Sequence, residues 1–137
     1  MSRFEAIDPL ALGRPRGYSN GMLAPAAGRL LFVAGQVGWN ERQELVGEGF
    51  AAQFEQALTN VLAVVREAGG APTDLGRLTL YVVDKAEYQE ALAEVGAAYR
   101  RQMGSHYPAM ALVEVSGLLE PGARVEIEGT AVLAAEA

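Results

Sequence analysis

Glu126 and Glu128 stand two residues apart in the stretch RVEIEGTAVL, Arg124 to Leu133. Its alternation sends Arg124, Glu126, Glu128, Thr130 and Val132 to one side and Val125, Ile127, Gly129, Ala131 and Leu133 to the other, the period of a strand. A carboxylate on such a face can serve as a general base or water anchor where partial burial raises its pKa. The plainer alternative is a pair of solvated acids, or acids paired with Arg124 or Arg77, and composition alone favours it. Gly35, inside RLLFVAGQV (Arg29 to Val37), is a second candidate. A glycine within a strand suggests a bulge, or a backbone N–H open to a ligand or another backbone. Tyr18 offers a ring and a hydroxyl for a ligand, set against ordinary packing. Ser19 and Ser116 lack the neighbouring base that a nucleophile needs. His106, the single histidine, reads as a loop residue beside Tyr107-Pro108 and argues against a histidine zinc site or a Ser-His-Asp triad. With no cysteine there is no disulfide, thiol nucleophile or thiolate metal site. Gly47-Glu48-Gly49 is not followed by Gly-Lys-Ser/Thr, so it is no phosphate loop.

These residues need a frame. Pro108 to Leu133 reads as two strands joined by a turn at Leu119-Glu120-Pro121-Gly122, where proline fixes φ and glycine tolerates a positive one. Upstream, residues 1–16 form an irregular segment, and Tyr18 to Ala24 is a weakly alternating edge strand. Ala26-Ala27-Gly28 is a turn. Arg29 to Val37 is nearly all apolar, the mark of a strand covered on both faces or at an interface. Gly38 to Gly49 is a loop. Phe50 to Ala68 is the clearest helix: Phe50, Phe54, Ala57, Leu58, Val61, Leu62 and Val65 form its apolar stripe, while Gln53, Gln56, Asn60 and Glu67 lie off it. Gly69-Gly70 stops that helix. Arg77 to Val83 is a strand. Asp84 caps a second helix, with Glu87 in capping-box position, and Gly104 ends it. The order predicts one α+β domain spanning residues 1–137, a mixed sheet with two helices packed on one face. Thr79, Tyr81, Glu114, Glu126, Glu128, Phe32 and Met110 are expected on the other face. So mixed a surface suits a subunit interface enclosing small polar cavities.

The chain has 137 residues and a formal net charge of -6. The acidic balance argues against non-specific nucleic-acid binding, which needs cations to release phosphate counterions. No apolar run approaches the roughly 18 residues of a membrane span. The opening MSRFEAIDPL carries acids and no apolar run, so no signal peptide is expected and a cytoplasmic domain is.

Four segments in order, Gly17-Tyr18-Ser19, LLFVAGQV, Gln53 leading into ALTNVLAVVREAGG, and Pro108-Ala109 through VEVSGL to VEIEGTAV, resemble the reactive-intermediate deaminase family, also called the YjgF/YER057c/UK114 or endoribonuclease L-PSP family. The resemblance implies a chorismate-mutase-like fold and a homotrimer, a barrel of sheets with helices outside and ligand clefts between subunits. It implies hydrolysis of 2-imino acids or their enamine tautomers to 2-keto acids and ammonia, with no metal or organic cofactor. It assigns the water-holding role to Glu126, and cleft positions to Tyr18 and Gly35. An arginine directly after Pro-Ala clamps the substrate carboxylate in the family; here that residue is Met110. The family's Ser or Thr before Gly-Gln is Ala34, and an Asn of the second helix falls at Leu92. All three changes replace a polar group by an apolar one. A thioether donates nothing to a carboxylate, so the pocket should suit small 2-imino acids poorly. Arg77 and Arg124 are the arginines to examine as replacements. A non-catalytic trimeric module that binds a small molecule or a protein is the alternative.

Overall fold

Alternation in the sequence becomes the centre of one sheet. The computed structural model describes residues 3–25 and 27–135. Six strands, β1 (Glu5–Ile7), β2 (Gly21–Leu23), β3 (Arg29–Val37), β4 (Leu75–Val82), β5 (Ala109–Glu114) and β6 (Val125–Leu133), accompany helices α1 (Phe50–Glu67), α2 (Lys85–Glu90) and α3 (Leu92–Met103). Four strands make the main sheet in the order β3-β6-β4-β5; β1 and β2 pair separately. β6 runs antiparallel to both its neighbours, and β4 runs parallel to β5, so the sheet is mixed as predicted.

Val125, Ile127, Ala131 and Leu133 of β6 are buried with Leu78, Leu80 and Val82 of β4 and the apolar stripes of α1 and α3, in one core. On the opposite side Glu126, Glu128 and Thr130 are half-buried, while Phe32 and Leu30 are 73% and 59% exposed. Within this chain, then, β3 is covered on one face only.

The differences from the expected frame have physical reasons. The N-terminal segment is not wholly irregular. Glu5–Ile7 pairs with Gly21–Leu23, which takes the first expected strand out of the main sheet. Leu10–Leu12 adds a 3-10 turn. Phe4 then lies across β4: a Cβ on Gly76, where the β4–β6 register slips, would meet its ring at 2.8 Å. The second helix breaks at Ala91, giving α2 and α3. Asp84 does cap α2, accepting from the Ala86 N–H at 2.9 Å, but the capping box is not completed, because Glu87 turns to the Arg124 guanidinium. Gln53 is not on a solvent face. It is fully buried, donating to the Gly47 and Gly122 carbonyls and accepting from the Arg124 N–H at 2.7 Å. One side chain thereby ties α1, the loop before it and the entry to β6 together. The Ala26-Ala27-Gly28 turn includes Ala26, which lies outside the described residues. No helix among the described residues is long and apolar enough to cross a membrane.

Candidate functional site

Gly35 and Glu126 meet. Pairing between β3 and β6 slips by one residue between Val33 and Gln36, so Ala34 and Gly35 occupy a bulge. A Cβ built on Gly35 would stand 2.8 Å from both the Cδ and Oε2 of Glu126. The glycine therefore gives the expected bulge, and the group that approaches it is neither a ligand nor another backbone but the candidate carboxylate.

The two glutamates of β6 part company here. Glu128 accepts a 2.5 Å hydrogen bond from the Tyr81 hydroxyl, which in turn holds the phenol proton above its ordinary range. Glu126 makes no hydrogen bond or ion pair among the described residues, so its oxygens are left for a ligand or water. Neither acid is paired with Arg124, whose Nε and Nη2 both donate to Glu87, raising its already high pKa. Arg77 is exposed and lines a hollow with Phe32, Thr79 and Glu128 on the same sheet face.

Met110 is not on that face. It pairs in register with Leu78, a core residue, so it faces the helices and is half-buried against the core. Glu114 also departs from the expected face: its register partner is Val82, and it accepts from the Lys85 N–H at the start of α2. Met110 and Leu92 do come together. With Phe54, Leu80, Tyr88 and Val95 they wall a cavity of about 300 Å³ between the sheet and α3. Arg16 and Gly17 complete its rim. The chain there is fixed by Ser19, whose N–H and hydroxyl donate to the Pro108 and Tyr107 carbonyls at 3.1 and 2.6 Å. That hydroxyl is spent on backbone, consistent with the absence of a nucleophilic role. Tyr18 follows Gly17 and is 38% exposed beside this rim.

The expected site residues thus fall into two groups on opposite faces of the sheet: Ala34, Gly35 and Glu126 on one, and Leu92 and Met110, with Tyr18 nearby, on the other. Arg16 and Arg100, both exposed and both lining the Met110 cavity, went unrecognised in the sequence. The only signal that finds Arg100 is its spacing, four residues after Gly96 on the same helix face. His106 is structural: its Nε2–H donates to the Leu75 carbonyl at 2.7 Å, its ring stacks on Phe4, and its carbonyl accepts from Tyr99. Among the described residues no cluster of three or more acids or histidines is placed to hold a metal ion.

Comparison with known proteins identifies relatives of the whole chain. The model of a family described as endoribonuclease L-PSP matches residues 10–133. A 2-iminobutanoate/2-iminopropanoate deaminase of Bos taurus is 32% identical over 125 residues, covering 90% of this chain and 83% of that one. Its namesake in Escherichia coli is 33% identical over 108 residues, 77% of this chain and 80% of its own. A crystal structure of a protein of unknown function from Yersinia pestis, of the conserved Rid protein family, superposes with a TM-score of 0.85 at 35% identity, covering 96% of this chain and 99% of that one.

Proposed function

Since this chain belongs to the endoribonuclease L-PSP family, the reactive-intermediate deaminases, we propose that it is an imine or enamine hydrolase in which Glu126 orients the attacking water. The observation that carries this is the contrast within β6: Glu128 is held by Tyr81, whereas Glu126 faces the Gly35 bulge with its oxygens free. In the reaction, water adds to the electrophilic C=N carbon as its proton passes to the carboxylate. The carboxyl returns that proton to the imine nitrogen, giving the carbinolamine; the carboxylate then carries the hydroxyl proton to the amino nitrogen as the C–N bond breaks, releasing ammonia and leaving the carbonyl. Imine and water go in, ketone and ammonia come out, and no redox partner is needed.

Glu126 and Met110 lie on opposite sheet faces, so one chain cannot present both to one ligand. The active unit in this reading is a homotrimer of chorismate-mutase-like form. The exposed face with Leu30 and Phe32 turns inward, and each cleft joins the Glu126 side of one subunit to the Met110 side of another. Burial of that apolar surface supplies the driving force. Met110, Ala34 and Leu92 make the cleft less polar, which disfavours the smallest 2-imino acids.

The test is release of keto acid from imines generated fresh by an amino-acid oxidase, from alanine, leucine and phenylalanine in parallel. Glu126→Gln should lower turnover about 100-fold, the usual contribution of a positioned base. Gly35→Ala, which pushes the carboxylate aside, should also lower it. Wild-type rates equal to those of Glu126→Gln on every imine would instead favour a non-catalytic binding module. That reading draws on the apolar wall that Leu92 and Met110 form together.

A further inference from the structure

The cavity walled by Met110 and Leu92 carries two arginines at its rim. Its lining holds Arg16 and Arg100 and no acid. That is unexpected in a chain of net charge -6, and it contrasts with the hollow lined by Phe50 and Ala91, where Glu87, Glu90 and Glu94 cluster. Neither Arg16 nor Arg100 makes an ion pair or side-chain hydrogen bond among the described residues. Among the described residues, then, neither arginine's charge is used internally. Arg101, next in sequence, differs: it is bound to Glu55.

The backbone makes room for one of them. Gly96 sits within α3, where glycine is a poorer helix former than alanine. A Cβ there would stand 3.2 Å from the Arg100 Nη1. The missing side chain lets the guanidinium fold back along the helix over the cavity rim. Below that rim the walls are Leu80, Val95, Leu92, Met110 and the Tyr88 ring, and neither Tyr88 nor Tyr107 uses its hydroxyl within the described residues. A cationic rim over an apolar floor of about 300 Å³ matches a ligand with one anionic end and a bulky hydrocarbon body.

We propose that this cavity binds carboxylates bearing a branched or aromatic apolar body, the carboxylate held at the rim by Arg16 and Arg100 and the body seated against Leu92 and Met110. As a statement of substrate class it rests on the hydrolase reading above, and selects 2-imino acids with large apolar side chains.

Calorimetric titration of the intact protein with 2-oxo-4-phenylbutanoate, its methyl ester and pyruvate separates the terms. The free acid should bind at least about tenfold more tightly than the ester, and more tightly than pyruvate. The double variant Arg16→Gln, Arg100→Gln should remove the preference for acid over ester, with ester binding retained and the thermal midpoint unmoved. Both positions are exposed, so folding is not at stake. Equal affinity of acid and ester in the wild type, no binding of either, or an unchanged acid preference in the double variant would each overturn the proposal. Acid binding without imine turnover leaves this proposal standing while the hydrolase reading falls. Turnover restricted to the alanine-derived imine does the reverse.

Discussion

The two faces of the main sheet use the same pleat for opposite ends. Toward the helices, β4 and β6 present Leu78, Leu80, Val82, Val125 and Ile127, all buried within one chain. Away from them the same strands carry Tyr81, Glu126 and Glu128, and β3 adds Leu30 and Phe32 to solvent. The first face is finished by its own chain; the second carries the most reactive geometry and the least cover. In the proposed trimer, chemistry placed on the uncovered face depends on assembly, whereas the Met110 cavity on the covered side has its walls within one chain.

Four substitutions test that contrast. The largest effect is expected from Phe32→Asp, which puts a charge into the uncovered face. Sedimentation should show the wild-type assembly replaced by single chains, with imine hydrolysis lost and the helical circular dichroism intact; a wild type that sediments as one chain would end the contrast. Next comes Gln53→Leu on the covered side. It strands the Gly47 and Gly122 carbonyls and the Arg124 N–H, at 1–3 kcal/mol for each buried unsatisfied group. Part of that is relieved by water, so a loss of about 3 kcal/mol in urea unfolding is expected. Met110→Arg restores a clamping cation at the strand. The kcat/KM ratio for alanine-derived over phenylalanine-derived imine should rise about tenfold, the worth of one charge-assisted contact.

The smallest effect concerns pH. Burial holds the Tyr99 proton well above the usual phenol range. The folded state thus binds that proton more tightly than the unfolded chain does. Its contribution is complete below the unfolded value near 10 and is lost as pH climbs from there toward the folded value. Tyr99→Phe should flatten this alkaline decline in thermal midpoint, at the cost of the 2.7 Å hydrogen bond to the His106 carbonyl at neutral pH.

Sequence periodicity revealed what repeats. The β6 alternation appears residue by residue in its burial, and the α1 stripe from Phe50 to Val65 is the core-facing set. Gly35 was legible because a glycine amid Leu, Phe and Val has few other reasons to be there. Misplacement followed where facing depends on a partner strand. Met110 faces the helices because of its parallel register with Leu78, which the local pattern AMALVE does not encode. Gln53 looks like a solvent residue until the Gly122 turn, far along the chain, supplies its partners. Arg16 and Arg100 are 84 residues apart as numbered, and nothing short of the fold brings them to one rim.

The position of β6 has a consequence for how the molecule forms. It lies between β3 and β4, with Arg29 opposite Leu133, about a hundred residues later in the chain. Until β6 is synthesised, both neighbours offer bare edges toward an empty slot, and β3 brings an oily surface as well. Folding must await a long loop closure, which is slow, and the waiting chain is exposed to sticking by its unpaired edges. On the ribosome this protein stays incomplete until its sixth strand emerges.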